Sequence, residues 1–371
     1  MNILYVGSPE LFGSGASSIH VSRICEAFAE NGNKVDLLLP IEKNQINYFY
    51  EFYDVKQIFT IIPCFGMKKG KFRHLVHGIN ALIKKKAKYD FIVTRNIPFA
   101  YLASFFMKNI VIDIHHPPIN FISRIAINRF LSSKNIKKII CNSEGTMFSI
   151  LKETHSNEKI KVLHNGVRLE DFKKEYDSAE IKKSLSIPEN SKVVSYIGNT
   201  YKGRGIEVII NLAEKFPNIF FLIVGGEDAD NDYYKNLLND SIRNIIFTGH
   251  VTSKTVPSYY SITDLLIVPY QKDFTIKGNT NAQEFSSPIK IFEHLASSKP
   301  IIASDLPSIS RILTNDINAI LVKSLSSPSF ALEINNLFSD SEKYNRLSNN
   351  ALKKAEAYTW KKRAQEMISE D

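Results

Sequence analysis

The chain has 371 residues, 44% of them hydrophobic and 11% aromatic, which excludes a globally disordered protein and provides for two domains rather than one. Its cysteines, Cys25, Cys64 and Cys141, are widely spaced and belong to no Cys/His cluster with metal-ligand spacing, which excludes a disulfide scaffold and indicates a reduced protein. The formal net charge of +9 is unevenly distributed along the chain.

Short apolar runs alternate with helix-length patterns over the whole chain. The strands predicted in the first half are 3–6, 35–39, 58–62, 91–94, 110–114 and 139–141. Those predicted in the second half are 193–197, 220–224, 245–247, 265–268, 301–303 and 320–322. Helices are predicted at 17–30, 206–216, 288–297 and 328–338, and the tail at 352–369, with the only tryptophan, Trp360, has a helical pattern. This alternation predicts an α/β protein whose doubly wound parallel sheets are covered by helices on both faces.

The alternation is interrupted once, between residues 168 and 191, where the sequence is charged and poor in apolar runs. We interpret this segment as the connection between two Rossmann-like domains. The predicted domains are 1–168 and 169–350, followed by a C-terminal segment at 351–371.

Targeting signals are not evident. No basic region followed by an apolar region precedes the first strand pattern, and the longest apolar run, 97–107, is too short to cross a bilayer. We therefore expect a cytoplasmic protein.

A basic stretch lies between Lys68 and Lys88. It holds eight Lys or Arg residues and no acid, and its apolar residues recur at helical spacing. Such a helix is typical of attraction to an anionic surface, either a membrane or a phosphorylated acceptor. It is equally typical of a solvated helix that packs its apolar stripe on its own domain. No nucleic-acid-binding motif accompanies the charge, so nucleic acid is not expected as a partner.

Ligands of open parallel sheets bind beyond the carboxyl ends of the strands, so residues that directly follow strands are the informative ones. The first such place is the glycine loop, residues 13–17, with Gly13 and Gly15 before a predicted helix. Its glycines and the helix N-terminus suit an anion. It is not a full dinucleotide fingerprint, but Asp36 lies at a distance suited to a ribose, so an NAD site stays open.

The second place is the cation loop, residues 198–205, between a strand and a helix. It begins with Gly198 and Asn199 and contains Lys202 and Arg204 among further glycines. Two cations and free N–H groups in a strand-to-helix loop indicate a diphosphate site, although the Walker pattern is absent. The alternative is an ordinary surface loop.

The third place is the segment 284–294. Ser287 followed by Pro288 predicts the N-cap and first position of a helix, which puts Lys290 in the first turn. A cation there opposes the helix dipole unless an anion binds beside it. Glu293 lies on the same face and could accept hydrogen bonds from sugar hydroxyls. The alternative is a simple Lys290–Glu293 ion pair.

The fourth place is Asp113 with His115 and His116 at the end of a strand, where they suit catalysis or a turn equally well. We expect no metal: the acid-rich sequence 227–232, with its Asp-x-Asp, is interpreted as a solvated turn. No G-x-S-x-G nucleophile motif is present.

Taken together, these segments resemble the family 4 glycosyltransferases, which are retaining enzymes of the GT-B fold, over nearly the whole chain. The order of motifs is similar: the glycine loop, an NGV turn at 165–167, the cation loop, an F-x-G turn at 247–249 and a closing tryptophan segment. The most specific block is SPIKIFEHLA at 287–296 running into KPIIASD at 299–305.

The resemblance implies two Rossmann-like domains facing across a cleft, with the acceptor on the N-terminal domain, the donor on the C-terminal domain and the final helix crossing back. It implies transfer from a UDP- or GDP-sugar to a glycan or lipid-linked acceptor, without a cofactor or metal. The implied catalytic residues are His115 at the donor sugar, Lys202 and Arg204 at the diphosphate, and Glu293 at the ribose. The implied donor-binding residues are Gly13, Gly15, Gly198, Asn199, Val251, Glu284, Ser287, Ile289, Lys290 and Glu293.

One position departs from the family pattern. The family usually carries a first glutamate eight positions before the second, and this chain has Phe285 there, with Glu284 one step away. Either Glu284 substitutes for it or backbone N–H groups recognise the sugar. Three alternatives therefore stay open: a nucleotide-sugar epimerase or phosphorylase of the same fold, an NAD-dependent dehydrogenase, and a non-catalytic nucleotide-sugar-binding protein.

Overall fold

The computed structural model describes residues 1–13, 15–67, 70, 72–84, 88–118, 120–151, 158–276 and 280–369. The chain divides into two units. The first comprises Met1–Gly166 together with Phe285–Ser287 and Trp360–Asp371, and the second comprises Val167–Glu284 and Pro288–Thr359.

The first unit alternates strands and helices. Its strands are β1 (Asn2–Val6), β2 (Lys34–Leu39), β3 (Thr60–Pro63), β4 (Phe91–Thr94), β5 (Ile110–Ile114), β6 (Ile136–Cys141) and β7 (Ile160–Val162). Its helices are α1 (Ala16–Glu30), α2 (Ile46–Phe52), α3 (Arg73–Lys84), α4 (Ile97–Ala103), α5 (Phe121–Ser132) and α6 (Glu144–Leu151), with a short 3-10 helix at Lys43–Gln45.

The seven strands of the first unit form one parallel sheet in the order β3-β2-β1-β4-β5-β6-β7. The register places Val6 of β1 opposite Leu38 of β2 and Thr94 of β4, so that these strands end at one level. The strands are apolar and buried on both faces, as parallel strands between helices must be. One apolar cluster joins β4 and β5 to α4 and α5 through Phe99 and Phe130.

The second unit repeats this plan. Its strands are β8 (Lys192–Ile197), β9 (Ile219–Val224), β10 (Ile245–Phe247), β11 (Leu265–Val268), β12 (Thr275–Ile276), β13 (Thr280–Asn281), β14 (Ile301–Ser304) and β15 (Ile320–Val322). Its helices are α7 (Ser178–Ser184), α8 (Ile206–Lys215), α9 (Asp228–Lys235), α10 (Val256–Ser261), α11 (Ile289–Ala296), α12 (Pro307–Ser310), α13 (Ser327–Ser339) and α14 (Ser341–Ala355), with a 3-10 helix at Leu169–Phe172. The six-stranded parallel sheet has the order β10-β9-β8-β11-β14-β15, and β12 and β13 form an antiparallel pair apart from it.

A last helix, α15 (Trp360–Met367), follows α14 in sequence but groups with the first unit. There it packs against α1, and Lys361 pairs with Glu30 at 3.3 Å while its carbonyl accepts a hydrogen bond from Asn31 at 2.9 Å. The chain thus leaves the first unit after residue 166, contributes residues 285–287 to it, and returns to it again at residue 360.

The α/β fold with two doubly wound parallel sheets is confirmed, and all twelve predicted strands are found within a few residues of their expected bounds. Several details differ. The structure adds β7, whose residues Ile160–Val162 are too few and too exposed for an apolar run, and the pair β12–β13. The predicted helix at 352–369 is wrong: α14 ends at Ala355 and α15 begins at Trp360. The residues between them include Tyr358 and Thr359, whose backbone contacts Val167.

The expected solvated turn at 227–232 is also wrong, because Asp228 begins α9. Asp228 and Asp230 lie in its first turn, where carboxylates favour the helix dipole. Within the described residues, no helix has the length and apolar character required to cross a membrane.

Candidate functional site

The strand order of the second unit identifies a ligand crevice. Strand β8 lies between β9 and β11, so the connections from β8 and from β11 lead to opposite sides, and ligands of such sheets bind at this point. The cation loop follows β8 directly, and Pro269 and Tyr270 follow β11. The sequence-predicted loop is therefore at the position that the topology selects.

The cation loop is held tightly against the end of β11. Gly203 and Gly205 both have left-handed backbone conformations, with φ of 82° and 75°. A Cβ atom on Gly205 would lie 1.9 Å from the carbonyl oxygen of Pro269, so no other residue fits there. Gly203 in turn accepts a hydrogen bond from the backbone N–H of Gln271 at 2.8 Å. These contacts fix the loop before the N-terminus of α8.

Arg204 is buried within the cation loop. Its guanidinium lies over the rings of Tyr270 and Phe274, 4.5 Å and 4.9 Å from their centroids. Burial alone would lower the pKa of Arg204, but the neighbouring Tyr270 and Tyr196 raise it above its usual value. The side chain is thus a fixed cation, whereas Lys202 is exposed and able to reach a ligand. Gly198 and Asn199 are partly buried at the start of the loop, where Asn199 accepts a hydrogen bond from Tyr196.

Helix α11 begins one residue later than expected. Pro288 is the N-cap, with ψ of 118°, and Ile289 is the first helical residue, so Lys290 is the second. The prediction of Ser287 as the cap is wrong because Ser287 is engaged elsewhere: its carbonyl accepts a 2.6 Å hydrogen bond from the Asn165 side chain.

Lys290 and Glu293 form an ion pair of 2.6 Å on one face of α11. The structure therefore shows the simple Lys290–Glu293 ion pair that was the alternative interpretation of this segment. Glu293 also contacts the hydroxyl of Tyr260, which is close to Tyr270 and whose pKa is raised, first by burial and then by Glu293. This pair of tyrosines joins α11 to the cation loop within the second unit.

The remaining residues predicted to bind the donor lie in different surroundings. Val251 is partly buried after Gly249, which has φ of 71° and accepts a 3.0 Å hydrogen bond from Gly225. Glu284 is 60% exposed and lies 3.4 Å from Arg311. Phe285 is buried in the first unit, where its carbonyl accepts a 2.6 Å hydrogen bond from Ser143.

In the first unit, Asp113 is the centre of a buried cluster at the carboxyl end of β5. Its carboxylate lies 2.7 Å from Arg363 of α15, 3.1 Å from His115 and 3.3 Å from His20 of α1. Arg363 also donates hydrogen bonds to the carbonyl groups of Leu163 and His164. The ring of His20 is edge-on to that of His115, with centroids 4.6 Å apart.

The charge states in this cluster follow from burial and from Arg363. Burial alone would raise the pKa of Asp113, but Arg363 and then the two histidines hold it well below its usual range. Burial first, and then the charge of Arg95, lower the pKa of His115 to about 3, and burial lowers that of His20 as well. Both imidazoles are therefore neutral beside an ionised carboxylate, which favours a proton on the His115 nitrogen that faces Asp113.

His20, Asp113 and His115 are also the one group of metal-ligating side chains close enough to share an ion within the described part of the chain. Arg363 already occupies an oxygen of Asp113 at 2.7 Å and supplies the compensating positive charge. A metal ion would have to compete with this buried guanidinium. The three residues therefore fit the Arg363 side chain better than they fit a metal ion.

The glycine loop precedes α1, and Ser14 lies outside the described residues. A Cβ atom on Gly13 or Gly15 would meet nothing within 4 Å. Gly15 is the N-cap of α1, and no side chain caps this helix. The loop is thus open to a ligand, although its own packing does not require glycine.

The sequence analysis missed His20, Arg95, Tyr270 and Arg363. Arg95 and Tyr270 follow directly after strands or nearly so, and the rule that drew attention to His115 could have found them. Arg363 is separated from Asp113 by 250 positions, and no local signal connects the two.

Solved structures confirm the architecture. The crystal structure of HepE from Anabaena in complex with UDP and glucose is similar with a TM-score of 0.74 and 16% identity, covering 98% of this chain and 97% of that one. A sucrose-phosphate synthase from Thermosynechococcus elongatus has a TM-score of 0.75 and 17% identity, covering 99% and 97%. With its two parallel α/β units, the protein has the GT-B fold.

Sequence comparisons give the family. The model described as Glycosyltransferase Family 4 matches residues 17–171, and the model described as Glycosyl transferases group 1 matches residues 177–354. The chain belongs to the group 1, family 4 glycosyltransferases, which confirms the resemblance seen in the sequence.

The names of two relatives state what they synthesise. TuaH of Bacillus subtilis, named for teichuronic acid biosynthesis, is 30% identical over 47% of this chain and 42% of its own length. The alpha-galactosylglucosyldiacylglycerol synthase of Streptococcus pneumoniae is 23% identical over 67% of this chain and 71% of its own length. The chain thus spans between 42% and 71% of these curated relatives.

We expect Arg363→Met to destabilise the protein by about 3–5 kcal/mol, because it leaves the buried Asp113 carboxylate without its cation. The matched control is Arg346→Met, which removes an exposed partner of Asp316 and is expected to change stability by about 1 kcal/mol or less. Urea-induced unfolding measures both. Equal losses would contradict the assignment of Arg363 as the buried counter-charge.

We expect the buried His294 to make the stability of the protein fall as the pH is lowered. Burial and then Lys290 lower its pKa in the folded protein to about 3, while its Nδ1 lies 2.8 Å from the Tyr260 hydroxyl. Below about pH 6.5 the unfolded chain therefore binds a proton that the folded chain does not, at a loss of about 1.4 kcal/mol per pH unit down to about pH 3. His294→Gln should flatten the stability profile over this window relative to the wild type, whereas the exposed His250→Gln should not. Parallel profiles of stability against pH for wild type and His294→Gln would refute this role of His294.

Proposed function

We propose that this glycosyltransferase is a retaining enzyme that transfers a sugar from a UDP- or GDP-sugar to a glycan or lipid-linked acceptor. The observation that carries the proposal is the cation loop. It places the fixed cation Arg204 and the exposed Lys202 before the N-terminus of α8, in the crevice of the second sheet. Guanidinium, ammonium and helix N-terminus together suit the diphosphate of a nucleotide-sugar.

The donor assignment has further support. The structurally similar HepE was crystallised with UDP and with UDP-glucose. In this chain Glu293 lies on α11, joined to the cation loop through Tyr260 and Tyr270. On binding a donor, Glu293 would exchange its contact with Lys290 for the ribose hydroxyls, and Lys290 would turn to the phosphates.

The reaction breaks the bond between the anomeric carbon and the diphosphate oxygen while the acceptor oxygen forms a new bond to that carbon. Negative charge develops on the diphosphate, and fixed cations stabilise it without reorganisation. The proton of the acceptor hydroxyl passes to the departing phosphate oxygen. We assign no step to a metal. His115, neutral and oriented by Asp113, is proposed to accept a hydrogen bond from a hydroxyl of the donor sugar or to pack against the sugar.

We expect UDP or GDP and their sugars to raise the thermal unfolding temperature, and Lys202→Ala or Glu293→Ala to abolish the shift. The control Lys215→Ala removes an exposed lysine at the far end of α8 and should keep it. Thermal scans with NAD, ADP, UDP, GDP and their sugars measure this. Stabilisation by NAD alone would refute the transferase proposal and favour a dehydrogenase.

Within the same experiment, His115→Ala should keep the donor-induced shift and lose transfer to acceptor. Transfer is measured as release of the nucleoside diphosphate, with and without EDTA, which should have no effect. Unchanged transfer would remove His115 from the catalytic residues. Consumption of donor without any acceptor would favour an epimerase.

The acceptor is proposed to be reached at a membrane, from a cytoplasmic position. The two named relatives concern teichuronic acid and a diacylglycerol glycolipid. In this chain α3 buries His77, Gly78 and Ala81 and leaves an apolar stripe exposed. The stripe consists of Leu75, Ile79 and Ile83, with exposed fractions of 40%, 42% and 77%.

Arg73 and Lys84 of the stretch Lys68–Lys88 lie at the two ends of α3. Lys84 and Lys88 are exposed at its end, while Lys68, Lys69, Lys71, Lys85 and Lys86 lie outside the described residues. Exposed apolar side chains beside cations are the features that hold a helix on an anionic bilayer surface. The alternative, an apolar stripe packed wholly on its own domain, does not account for Leu75, Ile79 and Ile83.

We expect the protein to bind phosphatidylcholine vesicles that contain phosphatidylglycerol and to bind pure phosphatidylcholine weakly. Replacing Lys84, Lys85 and Lys86 with Ser should weaken binding about a hundredfold, at roughly 1 kcal/mol per lysine. Replacing the exposed Lys173, Lys174 and Lys183 of the second unit with Ser is the matched control. Vesicle co-sedimentation measures the affinity. Equal binding of the two variants would show that α3 is a solvated helix without a role in membrane binding.

A further inference from the structure

The sheet of the first unit has its own crevice. Strand β1 lies between β2 and β4, so the connections diverge at β1 and β4, as they do at β8 and β11 in the second unit. Val6 is paired with Thr94, and the chain continues to Ser8 after β1 and to Arg95 and Asn96 after β4. The polar residues after these two strands therefore share one edge of the sheet.

The hydrogen bonds around Ser8 have a fixed direction. Arg73 donates from Nε to His74 Nε2 at 3.1 Å, so the proton of the neutral His74 is on Nδ1, which lies 2.6 Å from Ser8 Oγ. Asn96 donates to the same oxygen at 3.0 Å, and its own carbonyl oxygen accepts from Phe99 at 2.9 Å, which fixes the amide orientation. Ser8 Oγ thus accepts twice.

The hydroxyl proton of Ser8 has no acceptor among the described residues. A hydroxyl that accepts two hydrogen bonds has its own O–H left to donate, and Ser8 is only 9% exposed. The chain of bonds from Arg73 through His74 therefore ends on a hydroxyl whose own O–H is left to donate.

Arg95, beside Asn96, is a partly buried cation without a carboxylate partner in the part of the chain that the structure describes. Its contact is a 3.4 Å hydrogen bond to the carbonyl of Ser17 in the first turn of α1. The nearby Asp113 is already bound to Arg363 at 2.7 Å. A guanidinium removed from water without a counter-charge is unfavourable, and an anion beside it would correct this.

The first turn of α1 adds to the positive potential. The turn contains no acidic residue, and its N-cap, Gly15, has no side chain with which to cap the N–H groups at this end. A cation against a helix N-terminus is a repulsive arrangement unless an anion lies between them.

We propose that Ser8, Arg95 and the N-terminus of α1 form an oxyanion subsite for a phosphate group of the acceptor. The proposal rests on the proposed function, in which the second unit binds the donor diphosphate, and it specifies the acceptor class: a phosphate-bearing molecule. The Ser8 hydroxyl and the guanidinium donate to the phosphate oxygens, and His74 and Asn96 are positioning residues that hold Ser8.

The test is calorimetric titration of the full chain with inorganic phosphate and with methyl phosphate, at constant ionic strength in a chloride buffer. We expect saturable binding by the wild type, weakened about tenfold or more by Arg95→Gln, because a charge-assisted pair is lost. Ser8→Ala should weaken it by a smaller factor of about three. Arg243→Gln, which removes an exposed arginine of the second unit, is the matched control and should bind like the wild type.

Circular dichroism checks that each variant is folded. If Arg95→Gln does not fold, the affinity of Ser8→Ala for phosphate decides the test. Wild-type affinity for phosphate in Ser8→Ala and Arg95→Gln, or no binding by the wild type, overturns the subsite. The titrations are repeated with saturating UDP. Binding that persists supports an acceptor phosphate, whereas displacement by UDP means that the subsite holds the donor diphosphate and overturns the acceptor assignment.

The two proposals fail in different ways. If the proposed transferase function is wrong, no nucleotide or nucleotide-sugar stabilises the wild-type protein, whatever its affinity for phosphate. If the subsite alone is wrong, Arg95→Gln and wild type respond equally to phosphate, and the donor still stabilises both.

Discussion

The ionised carboxylate of Asp113, buried at the end of β5, determines much of the first unit. It is kept charged by Arg363 at 2.7 Å, and it holds the imidazoles of His115 and His20 within 3.3 Å. A buried carboxylate is tolerated only with such partners, and each partner comes from a different element: α15, the end of β5 and α1. The contact thus fixes α15, α1 and β5 relative to one another, and it sets the orientation of the candidate catalytic histidine.

The two units share a strand order. They differ in the residues that follow the two strands at which the connections diverge. In the second unit the arginine that follows β8 is stacked on two aromatic rings after β11, an arrangement that keeps a cation in place. In the first unit β1 and β4 are followed by the Ser8 hydroxyl and the Arg95 guanidinium. One topology therefore presents two chemically distinct edges. This difference supports a division of labour between donor and acceptor.

The sequence was sufficient for the strands and for the cation loop, because buried parallel strands are continuous apolar runs and a glycine-rich loop after a strand is a local signal. It was insufficient where interacting residues are distant in sequence. It was also insufficient where a residue at the end of a helix makes other contacts. Ser287 reads as a helix cap, but Asn165 takes its carbonyl and the helix begins after Pro288. The tail reads as one helix, but it divides where the chain returns to the first unit. No pattern could pair Arg363 with Asp113, since their proximity depends on the whole fold.

The return of α15 to the first unit has a consequence for synthesis on the ribosome. Residues 1–166 leave the ribosome first, yet the guanidinium that neutralises Asp113 is attached to residue 363. Roughly 200 further residues must be translated in between, which takes about 10–40 s at ordinary rates. During that interval the nascent first unit holds a carboxylate in its interior without its counter-charge, so it stays incompletely folded, with His115 not yet oriented. The first unit therefore acquires its histidine geometry only once residue 363 has been translated, after the second unit has had time to form.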